Sequence, residues 1–251
     1  MTSFRKTALV GGILYLLTFI GSIPAAILVA PALEPGYVTG AGVDPQIGLG
    51  AIGELLNVFG CFFCGVVFYS VIKRQHEGLA LGYFATRMFE AVVIAVGVLC
   101  VLAVVTLRQQ GAADGGAAGL SPVADALVAV RHWAMVIGGN MACFNALMLG
   151  TALYRARLVP RALPALGLIG APLLLAFVLG NILGVTEPGT LFHSVAVFPF
   201  FTWELILGLW LTFKGFNESS PIAVAERAER ASASAGTTSS RVAVAAEAGA
   251  A

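Results

Sequence analysis

The chain has 251 residues, of which 59% are hydrophobic and 11% charged, with a mean hydropathy of +0.92. A water-soluble domain carries roughly 25% charged residues, so the composition excludes a soluble fold. The net charge of +1 removes an electrostatic case for a nucleic-acid partner.

A bilayer core takes about 20 residues of apolar helix, and six stretches supply it. The sequence therefore predicts an all-α integral membrane bundle of six transmembrane helices, with the lipid bilayer as its surroundings. The first span is 7–30, preceded by Arg5 and Lys6. It is longer than the roughly 7–15 apolar residues of a signal peptide and reads as a retained helix. A Pro- and Gly-rich loop follows at 31–48. The second span, 49–72, carries Glu54, Asn57, Cys61 and Cys64. The third, 79–107, carries Arg87 and Glu90. The 109–119 segment, QQGAADGGAAG, has no pattern that would fold alone. The fourth span is 132–154, with an amphipathic lead-in from Ser121. Arg131 and His132 stand at its head, with Asn140 and Asn145 inside it. The fifth is 162–183 and contains Asn181. The sixth, 191–213, opens near His193 and contains Glu204. Residues 1–215 thus form the membrane domain. Residues 216–251 are rich in Ala, Ser, Glu and Arg and predict a disordered tail. Short links at 73–78 and 155–161 make the second and third, and the fourth and fifth, spans antiparallel hairpins.

Lysine and arginine set orientation. Arg5, Lys6, Lys73, Arg74, Arg155, Arg157, Arg161 and Lys214 fall on one side, and Arg108 and Arg131 on the other. Both termini are expected in the cytoplasm, with the chain in the bacterial inner (cytoplasmic) membrane. Tyr69, Tyr83, Tyr154 and Trp210 are expected at the inner interface, and Trp133 at the outer one.

An ionisable residue inside a span costs about 2.5–3.5 kcal/mol on insertion scales and is the first place to look for function. Arg87 and Glu90 are three apart and share a helix face. Glu204 sits at a similar depth. Together they read either as a packing ion pair or as a proton-linked or substrate-binding cluster, since two acids face one arginine. A second polar group, toward the outer surface, comprises Glu54, Arg131, His132 and His193, with Asn57 beside it. Its histidines lack the spacing of a metal motif, and no metal or cofactor is expected. Asn140, Asn145 and Asn181 are expected to hydrogen-bond between helices. The four cysteines, Cys61, Cys64, Cys100 and Cys143, all lie in apolar runs rather than in a disulfide framework.

Five stretches together carry a resemblance: Arg5-Lys6-Thr7-Ala8-Leu9 running into Gly12-Ile13-Leu14-Tyr15-Leu16; Leu49-Gly50-Ala51-Ile52-Gly53-Glu54-Leu55-Leu56; Lys73-Arg74-Gln75-His76-Glu77-Gly78-Leu79-Ala80-Leu81-Gly82-Tyr83; Arg87 with Glu90; and Tyr154-Arg155-Ala156-Arg157-Leu158-Val159-Pro160-Arg161. Over residues 5–213 the chain resembles the bacterial multi-pass membrane family defined as domain of unknown function 4386. The resemblance implies six spans and carries no activity, substrate or catalytic residue. Three functions remain open on sequence. One is a structural or accessory protein acting through helix–helix contacts, with a membrane-protein partner or a second copy of itself. The second is a small transporter using Arg87, Glu90 and Glu204, its small-molecule substrate unknown. The third is an intramembrane enzyme using Glu54, His132 and His193.

Overall fold

The computed structural model describes residues 3–225, 227, 228 and 232. Among the described residues six long α-helices follow one another: α1 Ser3–Val29, α2 Asp44–Ile72, α3 Glu77–Asp114, α4 Ala117–Ala156, α5 Ala162–Ile182 and α6 Leu191–Phe213. All six are long and apolar enough to cross a membrane. The protein is a multi-pass membrane protein with an all-α fold. Each helix packs against its neighbours in the chain, and α6 returns to α1, so the bundle is a closed ring.

Local chemistry sets the helix ends. The His76 side chain accepts the Leu79 N–H (3.2 Å) and caps α3. Thr190 does the same for α6 through the His193 N–H (3.2 Å). Asp44 and Pro45 open α2, one suited to the positive helix end and the other to a position whose N–H has no partner. Arg5 donates to the carbonyls of Leu211 (2.8 Å) and Thr212 (2.7 Å), placing a cation on the negative end of α6.

α1 approaches its two ring neighbours through glycines. A Cβ on Gly21 would lie 2.6 Å from the Gly53 carbonyl oxygen of α2, and one on Gly12 would lie 2.8 Å from the Gly208 carbonyl oxygen of α6. Only a residue without a side chain permits such contact. The main core is built on fully buried Tyr15, Phe68, Tyr83, Leu149, Trp203 and Leu207. Tyr83, expected at the inner interface, turns its side chain into the bundle interior.

α3 and α4 have 38 and 40 residues, roughly 57 and 60 Å at about 1.5 Å per residue. A bilayer core is about 30 Å thick, so this hairpin projects beyond it at the end opposite the start of α1. Apart from the turn around Gly115 and Gly116, the 109–119 segment expected not to fold is helical. Alanine favours helix, and each helix of the hairpin gives the other a packing surface. A small outer core of Val29, Tyr37, Val38, Ile47, Val101, Val104 and Ala124 ties the 31–43 loop to its base. Arg108 clamps Asp44 there through two hydrogen bonds, one of them 2.7 Å from Nε to Oδ1, and Tyr37 donates to the same Oδ1 (2.5 Å). Burial, together with that hydrogen bond to Asp44, pushes the Tyr37 hydroxyl up to about 12.

Asn181 donates to the Thr186 carbonyl (3.1 Å), closing its own helix-end turn rather than bridging helices as expected. Past α6, Phe216 is buried in the main core, and Ser220 and Ala223 are also buried. Most of the tail expected to be disordered, beyond Val224 and Ala225, lies outside the described residues.

Candidate functional site

Arg87 is 2% exposed and makes five hydrogen bonds, as many as a guanidinium has N–H groups. Nε donates to the Tyr83 hydroxyl (3.3 Å). Nη1 donates to Glu90 Oε2 (2.9 Å) and Cys61 Sγ (3.7 Å). Nη2 donates to the Tyr15 hydroxyl (2.8 Å) and Glu204 Oε1 (2.9 Å). The guanidinium also lies over the Tyr15 and Tyr83 rings, 5.1 and 5.8 Å from their centroids, where the ring quadrupole favours a cation. Asn145 donates to Glu90 Oε2 (2.6 Å) and binds the Thr86 hydroxyl through its Oδ1, linking α3 and α4. Glu90 and Glu204 thus converge on one arginine from two helices.

This cluster floors a cavity of about 530 Å³, within the roughly 300–1,000 Å³ usual for small-molecule sites. All six helices line it. Polar groups come from Thr18 and Ser22 of α1 and Asn57 of α2, beside the three charged residues. Apolar walls come from Ala142 of α4, Leu174 of α5, and Phe200 and Phe201 of α6. The cavity occupies the half of the bundle away from the start of α1, since Ile23 and Ala26 and, on α6, Val197 belong to its upper wall. Ile23, Ala26 and Phe201 are exposed, so the cavity reaches the bundle surface at the seam between α1 and α6.

The outer polar group separates into two parts. Glu54 and Arg131 form a buried bidentate pair, with Nη1 to Oε2 at 2.9 Å. His132 and His193 line a different pocket, of about 220 Å³, with Phe177 and Asn181. Glu54 does not line it. His193 Nδ1 accepts the Gly189 N–H (3.1 Å) and its ring packs on Phe177, 4.7 Å between centroids. Among the described residues no group of three or more His, Cys, Asp or Glu is placed to hold a metal ion. Leu174 and Val197 line both this pocket and the central cavity, so the histidine pocket adjoins the central one on its outer side.

Sequence reasoning missed Tyr15, Thr18 and Ser22 altogether and did not pair Tyr83 with Arg87. Tyr83 lies four residues before Arg87, a same-face spacing that was open to reading. Nothing in the sequence pairs Tyr15 with α3. Asn140, expected to bridge helices, has a buried Oδ1 without a hydrogen-bond partner.

The family model described as "Domain of unknown function (DUF4386)" matches residues 10–215. The chain belongs to this family. No curated protein and no solved structure matches it. The matched region ends just past α6 and holds the central cluster, its cavity and the histidine pocket.

Proposed function

We propose that this protein is a small transporter-type membrane protein that binds an amphipathic organic cation in the central cavity. The observation that carries the reading is the cavity itself: all six helices line it, and it reaches the Arg87, Glu90 and Glu204 side chains. Arg87 has spent its N–H groups on protein partners and offers none to an anion. With both carboxylates ionised, the floor carries two negative charges against one positive. A ligand bringing one positive charge balances it. Phe200 and Phe201 supply aromatic surface suited to an organic cation. The excess of lysine and arginine at the end where α1 begins supports cytoplasmic termini in the bacterial inner membrane, and the cavity then lies in the outer half of the bundle. The saturation of Arg87 favours one rival reading, a packed bundle with a purely structural or accessory role. The enzyme reading lacks its acid, because Glu54 is held by Arg131.

Cysteine labelling separates these. With the four native cysteines replaced by alanine, Ser22→Cys should react in intact cells with a trimethylammonium methanethiosulfonate at least about tenfold faster than with its sulfonate analogue, each rate taken relative to that reagent's rate with a free thiol. Labelling only in inside-out vesicles would overturn the orientation and keep the cavity. No labelling from either side would overturn the ligand site.

A further inference from the structure

A second cavity, of about 540 Å³, lies at the opposite end of the bundle, where the α4–α5 turn meets the chain leaving α6. It shares no residue with the central cavity. Its rim carries Arg157, Arg161 and Lys214, its side Trp210, and its floor buried Leu158 and Phe216. Among the described residues none of these three cations is paired with a carboxylate. Arg161 instead lies over the Tyr154 ring, 5.2 Å from its centroid. The nearby Glu218 is taken by Arg227.

The backbone adds an independent sign. Arg157 closes α4 in the left-handed conformation, φ 52° and ψ 35°, the only such residue besides glycines among those described. Glycine is the usual residue there. An arginine kept in that conformation points to a use for its side chain that offsets the strain. The turn is also pinned: the Asn217 N–H donates to the Leu158 carbonyl (2.7 Å), and Asn217 Nδ2 to the Arg157 carbonyl (3.2 Å). The cations are thus held on a fixed frame around an apolar floor, with a tryptophan at the level where a membrane interface would place one. Such basic pockets between helix ends suit phosphate headgroups.

We propose that this pocket is a binding site for a phosphate-bearing anion, with the phosphate between Arg157, Arg161 and Lys214. The inference is independent of the central cavity. The phosphate can belong to an anionic lipid headgroup or to a free phosphate compound, and two probes distinguish them.

The full chain, purified in dodecyl maltoside, is titrated with phosphatidylglycerol and, separately, with sodium phosphate. Phosphatidylcholine, a zwitterion of no net charge, is the control. Binding is followed by the thermal unfolding midpoint and by lipid retained in native mass spectrometry. The comparison variant is Arg157→Gly with Lys214→Gln. Glycine relieves the backbone strain at 157, so this variant keeps its fold. Wild type should bind phosphatidylglycerol at least about tenfold more tightly than the variant. Saturation by phosphatidylglycerol alone makes the site a lipid site. Saturation by sodium phosphate, weakened equally in the variant, makes it a site for a free phosphate ligand. If neither probe binds, if phosphatidylcholine binds as well, or if wild type and variant bind alike, the proposal is overturned.

Discussion

Replacing Arg87 by alanine should destabilise the bundle by about 3–5 kcal/mol, because two buried carboxylates lose their shared counter-ion. Arg87 is 2% and Glu90 7% exposed, and both acids bond Arg87 at 2.9 Å. Unfolding by dodecyl sulfate in mixed micelles, followed by circular dichroism, measures the loss. Glu90→Gln and Glu204→Gln should each cost less, since Arg87 then keeps one carboxylate. The triple variant Arg87→Met, Glu90→Gln, Glu204→Gln should recover much of the stability, as replaced buried ion pairs often do. A wild-type unfolding midpoint for Arg87→Ala would contradict the pairing.

Glu54→Ala should have an effect of the same order, about 3–5 kcal/mol. It strands Arg131, which is 5% exposed and gives two hydrogen bonds to that carboxylate. Adding Arg131→Met to Glu54→Ala should recover stability, because the pair then leaves together. The same unfolding assay applies. If Glu54→Ala alone is neutral while His132→Ala is severely destabilising, the outer polar group is organised around the histidines and not around this ion pair.

The six helices were legible because a bilayer demands long apolar runs, and hydropathy reports these directly. The 109–119 hairpin tip was not, since its Gly and Ala content matches a linker until α3 and α4 are seen to pack side by side. The central cluster was legible in depth. Arg87 and Glu90 follow from a three-residue spacing, and Glu204 from its distance along α6. Depth does not fix direction around a helix axis, however. In a membrane chain the lipid-facing and core-facing surfaces are both apolar, so hydrophobic periodicity does not say which face turns inward. For that reason Tyr15 went unnoticed as an Arg87 partner. It joins the cluster from α1, the helix that Gly12 lets close against α6. For the same reason Glu54, His132 and His193 stood as one group on sequence. The structure turns Glu54 toward Arg131 and brings the two histidines to a separate pocket.

The charge of the ligand is the sharpest point to test. Tetraphenylphosphonium and tetraphenylborate have nearly the same shape and opposite charge. Equilibrium dialysis of the purified protein in dodecyl maltoside should show saturable binding of the phosphonium and none of the borate. Glu204→Gln should weaken phosphonium binding by at least about tenfold, since it removes the unbalanced negative charge while leaving Arg87 paired with Glu90. Saturable binding of the borate in place of the phosphonium, or phosphonium binding unchanged in Glu204→Gln, would contradict a cation site in the central cavity.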